Sequence, residues 1–151
     1  MAGRAIYDAK HFRSREALGA LVGRTRKAII EQLDVELARH GVSTAQSIVV
    51  LVVAQGTART AAEACKLLSH DPGAMTRLVD RLEAKGFIRR VRARGDRRSV
   101  RLDLTPQGRV LYLQINAAQV AVYNRMLQGF SVGEARTLEA LLRRVLENAG
   151  S

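Results

Sequence analysis

Tryptophan is absent from this 151-residue sequence, and aromatic residues make up only 4% of it. That scarcity argues against a base-stacking platform for single-stranded nucleic acid, which needs exposed rings. A single cysteine, Cys65, excludes an internal disulfide and a cysteine-rich zinc site. His11, His40 and His70 are scattered and lack acidic partners at ligand spacing, so no metal site is expected. There is no glycine-rich phosphate loop, no G-x-S-x-G and no pair of carboxylates set beside a histidine. The expectation is a protein that is not an enzyme and carries no cofactor. Proline occurs only at Pro72 and Pro106. With no proline-rich linker, repeat or low-complexity stretch, residues 1–151 read as a single domain. No apolar run approaches the ~20 residues that span a bilayer. Met1 to Arg15 is polar and basic, unlike a secretory signal. These absences point to a cytoplasmic protein with no membrane partner.

Acidic residues are scarce too. Lys and Arg number 25 against 14 Asp and Glu, a net charge of +11, while 47% of residues are hydrophobic, enough to build a core. Such a balance suits a polyanionic partner, and the place where the charge gathers decides which one.

Apolar residues at Leu18, Leu21, Val22, Ala28, Ile29, Leu33 and Leu37 recur at helical spacing, so Ala17 to His40 reads as a long helix that Gly41 stops. Ser43 to Gln46 has the form of a capping box and opens a buried helix to Ala54, although the β-branched run Ile48-Val49-Val50 also suits a strand. Thr60 to Glu63 is a second such box, leading a short helix to about Leu68. After a tight turn, Asp71-Pro72 opens the next helix, whose stripe Met75, Leu78, Val79 and Leu82 faces the core and which Gly86 ends. The period then changes from helical to alternating, so residues 87–92 and 99–104 read as a hairpin. Thr105-Pro106 starts a long helix to about Gln128. Ser131 to Glu134 is a third capping box before a stripe of Leu138, Leu141, Leu142, Val145 and Leu146.

A short capped helix, a tight turn and a second capped helix form the layout of a helix-turn-helix, whose second helix offers its first residues to base edges in the major groove. With the apolar stripe turned inward, Gly73, Ala74, Thr76, Arg77, Asp80 and Arg81 lie on the remaining faces. Gly73 and Ala74 permit close approach, while Thr76 and Arg77 can bond a base edge or a phosphate. The hairpin carries Arg89, Arg90, Arg92, Arg94, Arg97, Arg98 and Arg101, opposed at its tip by Asp96. Guanidinium is weakly hydrated and suits a narrow, negative minor groove, so the hairpin reads as a DNA wing, with the strand arginines Arg89, Arg90 and Arg92 acting through phosphate charge. An anionic membrane would call instead for a basic amphipathic helix.

The stretch Thr60 to Gln107 resembles the MarR family of winged-helix regulators, above all in "DPGAMTRLVDRLEAKGFIRR" followed by "GDRRSVRLDLTPQG". The resemblance implies a mostly α fold with a minor β component, in which 43–104 forms the winged-helix lobe and 1–41 and 105–151 form a helical dimerisation region. It implies a homodimer on palindromic double-stranded DNA, often released by a small aromatic or phenolic effector. It makes Asp96 a brace for the wing, puts Arg98 with Arg97 into the minor groove, and brings Ala74, Thr76 and Arg77 to the major groove. Dimerisation falls to the terminal helices, with Leu18 and Leu21 at one end and Leu138, Leu141, Leu142 and Val145 at the other. These helices otherwise serve only to close the core of a monomer. The other expectation consistent with so basic a wing is a low-specificity architectural DNA-binding protein.

Overall fold

The computed structural model describes residues 5–92 and 100–150. Helices α1 (Leu18–Ala38), α2 (Thr44–Ala54), α3 (Ala61–Leu67) and α4 (Pro72–Ala84) lead into strands β1 (Ile88–Arg92) and β2 (Val100–Leu104). Helices α5 (Pro106–Met126) and α6 (Val132–Asn148) complete the chain. Among the described residues the fold is mostly helical, with one two-stranded antiparallel sheet.

Caps set the helix starts. Ser43 accepts the Gln46 amide, and the Gln46 side chain returns to the Ser43 amide at 3.1 Å. Ser131 and Glu134 close the same reciprocal pair. The Thr60 box forms only half-way. Thr60 accepts the Glu63 amide, but the Glu63 carboxylate reaches one residue further back and takes the Arg59 amide at 2.6 Å. Asp71 caps α4 by accepting the Ala74 amide at 2.7 Å, with Pro72 at a position whose missing N–H leaves no bond unmade.

The β-branched run of α2 is helical. It lies at the centre of the core, packed by α1, α4, α5 and β2, with Val49 and Val50 fully buried. Enclosure on all sides outweighs the small helical penalty of β-branching. Around it gather Leu33 and Leu37 of α1, Met75, Val79 and Leu82 of α4, Ile88 of β1, Leu102 and Leu104 of β2, and Leu111, Ile115 and Val122 of α5.

The junction of hairpin and α5 is tight. Gly86, at φ +76°, turns the chain out of α4. Thr105 donates its hydroxyl to the Gly86 carbonyl and its amide to Phe87 O, and its hydroxyl also accepts the Gly108 amide. A Cβ on Gly108 would lie 2.0 Å from the Phe87 carbonyl oxygen, so only glycine fits there. On the far side of β2, the Leu102 amide donates to Arg59 O at 2.7 Å, which ties the hairpin to the start of α3.

Helix α6 differs. None of its residues is buried, and none of the substantial pairings between elements involves it. Among the described residues no helix is long and apolar enough to cross a membrane.

Candidate nucleic-acid interface

Helix α4 turns Met75, Val79 and Leu82 into the core, with Leu78 half-buried, which leaves Gly73, Thr76, Arg77 and Arg81 exposed and Ala74 half-exposed. Among the described residues, neither Arg77 nor Arg81 is ion-paired, so both guanidinium groups are available to an outside acceptor. The Thr76 hydroxyl donates to the Pro72 carbonyl at 2.9 Å. The residue stays exposed, and a threonine methyl suits the thymine methyl in the major groove. The N-terminal turn of α4 thus presents small, weakly polar surface, followed one turn later by arginines.

The hairpin pairs Ile88 with Leu104, Arg90 with Leu102 and Arg92 with Val100. Side chains alternate across a strand, so Arg90 and Arg92 share the face of buried Ile88, and Arg89 takes the opposite face. Arg89 reaches across to Asp103 at 3.9 Å and stays largely exposed. Arg92 is exposed near the outer end of β1. Arg94, Asp96, Arg97 and Arg98 lie outside the described residues, so the bracing and minor-groove roles that the resemblance implies for them rest on the sequence.

Arg90 sits differently from the phosphate contact expected of it. Its guanidinium meets Asp80 Oδ1 at 2.6 Å and Glu83 Oε2, while its own amide donates to Glu83 Oε1 at 3.0 Å. The hydrogen bond that the guanidinium donates to Asp80 is the largest influence raising the Arg90 pKa above its ordinary value. Burial opposes it, and Glu83 adds to it. The alternation that begins at Ile88 carries this signal in the sequence, since it separates Arg90 from Arg89. Nothing in the sequence singles out Glu83, and the helical period places Asp80 only on the outer faces of its helix. Their three-residue spacing sets both on one side of α4.

Cys65 is half-buried, and its thiol donates to the His70 carbonyl at 2.8 Å, a packing role within the turn before α4. Leu18, Leu21, Leu138, Leu141, Leu142 and Val145, expected at a dimer interface, are all 40% or more exposed in the single chain.

The MarR family's sequence profile matches residues 40–99, from just after α1 to the residue before β2. The chain is 36% identical to the multiple antibiotic resistance protein MarR of Salmonella typhimurium over 88 residues, which are 58% of this chain and 61% of that protein. That aligned stretch therefore spans less than two thirds of the Salmonella protein's length. Against MarR of Escherichia coli the identity is 30% over 130 residues, 85% of this chain and 90% of the relative. The fold is similar to a crystal structure of a mutant E. coli MarR complexed with operator DNA, at a TM-score of 0.75 and 30% identity, covering 85% of this chain and 93% of that one. The chain is also 41% identical to the HTH-type transcriptional regulator PecS of Dickeya dadantii over 71 residues, 47% of this chain and 43% of that protein. A likeness that runs nearly end to end in both sequence and fold settles the assignment: the chain belongs to the MarR family of winged-helix transcriptional regulators.

Proposed function

We propose that this protein is a repressor that binds palindromic duplex DNA as a homodimer and is released by a small aromatic effector, acting in the cytoplasm. The observation that carries the reading is the pairing, in one lobe, of an outward α4 face with free arginines and an arginine-rich hairpin root beside it. Thr76 and Arg77, with close approach at Gly73 and Ala74, read the major groove, Arg81 supports them, and the wing tip reaches the minor groove. The exposed stripes on α1 and α6 meet their counterparts in a second chain. The two α4 helices are then spaced about one DNA turn, ~34 Å, to enter successive major grooves.

For the effector, the reading is supported by a cleft of about 590 Å³ between the end of α2, the hairpin root and the start of α5. Val53, Leu102 and Leu104 give it apolar walls, Tyr112 a ring, and Arg89 and Arg109 two positive charges against the one negative charge of Asp103, a lining suited to an aromatic anion.

Footprinting on a genomic fragment library is the test. A short palindromic protected site is the expected result, and uniform protection would replace this reading with that of an architectural protein. Within a protected site, Arg77→Ala should flatten the preference over mixed-sequence DNA, because losing a bidentate base contact costs ~1–3 kcal/mol against the correct base.

A further inference from the structure

We propose that Arg90 is a positioning residue: it fastens the hairpin to the recognition helix and meets no DNA phosphate itself. The proposal rests on the reading above, in which α4 and the hairpin address one duplex together.

The geometry leaves the guanidinium little to offer a third partner. It lies on the inner face of β1, between two carboxylates one turn apart on α4. Glu83 binds it twice over, through one oxygen to the side chain and the other to the Arg90 amide. Its side chain is 32% exposed, against 61% for its neighbour Arg89 on the outer face. The charges follow the same logic. Asp80 and Glu83 stand on the helix that approaches DNA, where bare carboxylates would repel phosphate, and Arg90 offsets one of the two negative charges.

The mechanical need is as specific. On the reading above, the DNA contacts lie at the first turn of α4 and past the outer end of β1, and both of these ends are remote from the joint at residues 85–87. Helix α4 has 13 residues, ~20 Å of lever. Strand β1 has five, ~16 Å. A swing of about 10° at the joint displaces the far end of β1 by roughly 3 Å, about the length of one hydrogen bond. An angle held only by the turn would lose the fit of one element whenever the other was seated. A side chain of β1 gripped by two groups of α4 removes that freedom.

The test measures three quantities on the full-length protein. The first is affinity for a palindromic duplex selected by the parent from a randomised library, the second is affinity for a mixed-sequence duplex of equal length, and the third is amide hydrogen exchange in β1. Arg90→Ala should lower the ratio of selected to mixed affinity about tenfold, leave the salt slope unchanged, and raise exchange in β1. The double variant Asp80→Asn with Glu83→Gln should lower the ratio similarly, and combining it with Arg90→Ala should lower it little further, since all three act as one unit. If Arg90 is a phosphate ligand, Arg90→Ala instead weakens both duplexes equally and drops the salt slope by about one. The carboxylate variants then strengthen binding to both. Either outcome overturns the proposal, and the carboxylate variants decide the matter even if Arg90→Ala fails to fold. A parent with no preference for any selected duplex would remove the repressor reading alone. The exchange measurement needs no DNA, and unchanged exchange in β1 would overturn the clamp by itself.

Discussion

Helices α4 and α6 carry apolar stripes of similar make-up, and the structure treats them in opposite ways. Met75, Leu78, Val79 and Leu82 of α4 are buried or half-buried against α2 and β1, whereas Leu138, Leu141, Leu142 and Val145 of α6 are each at least 40% exposed. Burying one such side chain contributes about 1.5–3 kcal/mol, so four left in water are a large unspent driving force. The contrast teaches that an amphipathic stripe reports a need for cover and is silent about who provides it. For α4 the cover is folded from the same chain. The stripe of α6 stays exposed in the single chain, and on the reading proposed above a second copy covers it together with the equally exposed Leu18 and Leu21 of α1.

One kind of substitution, made at the packed start of α5 and again in α6, separates covered helix from uncovered helix most sharply. Gly108→Ala drives a methyl into the Phe87 carbonyl and should destabilise the protein by on the order of 4 kcal/mol. Gly133→Ala in α6, where the nearest atom to the new methyl is Ser131 Oγ at 3.9 Å, should stabilise by less than about 1 kcal/mol. Urea unfolding of the two variants measures both signs. Next in size, Leu138→Asp with Leu142→Asp should weaken self-association at least tenfold by sedimentation velocity, with the helical circular dichroism preserved. If the pair instead unfolds the chain, α6 belongs to the monomer core after all. Thr60→Ala removes the acceptor for the Glu63 amide and should cost ~1 kcal/mol in the same urea assay.

The smallest effect concerns the start of α6. The Ser131 amide, and then its hydroxyl, hold the fully exposed Glu134 carboxyl below its ordinary value. Because the folded value is the lower one, this cap supports the helix above the ordinary glutamate range, near 4.3. The support fades as pH falls through the folded value. A carboxyl NMR titration of Ser131→Ala should move the Glu134 midpoint part of the way back up, since the backbone donor remains.

Much of the fold was legible because its punctuation is local. Ser43, Asp71, Thr105 and Ser131 each satisfy amides within three residues, so a sequence window contains both donor and acceptor. Where the partner lies elsewhere, legibility fails. The Ile48–Val50 run suits a strand as well as the helix that its cap predicts, and it is the enclosure by α1, α4, α5 and β2 that decides for the helix. Glu63 fits a capping box by spacing, yet bonds to Arg59. Charge density groups Arg90 with its neighbours, although strand alternation separates it from Arg89, and its carboxylate partners sit on another element. Arg77 and Arg81 stand outward as the helical period implies, because the core stripe fixes the rotation of α4.

The rung where Arg90 faces Leu102 has one more consequence. Both amides are bonded outside the hairpin, Arg90 to the Glu83 carboxylate and Leu102 to the Arg59 carbonyl. A two-stranded sheet normally leaves both outer edges open as templates for a stray strand, the usual start of aggregation. Here a side chain stops one edge and a loop stops the other at the same level, so an invading strand would have to displace a native bond on either side. A chain whose apolar helices invite company is thereby guarded against joining its neighbours through its sheet.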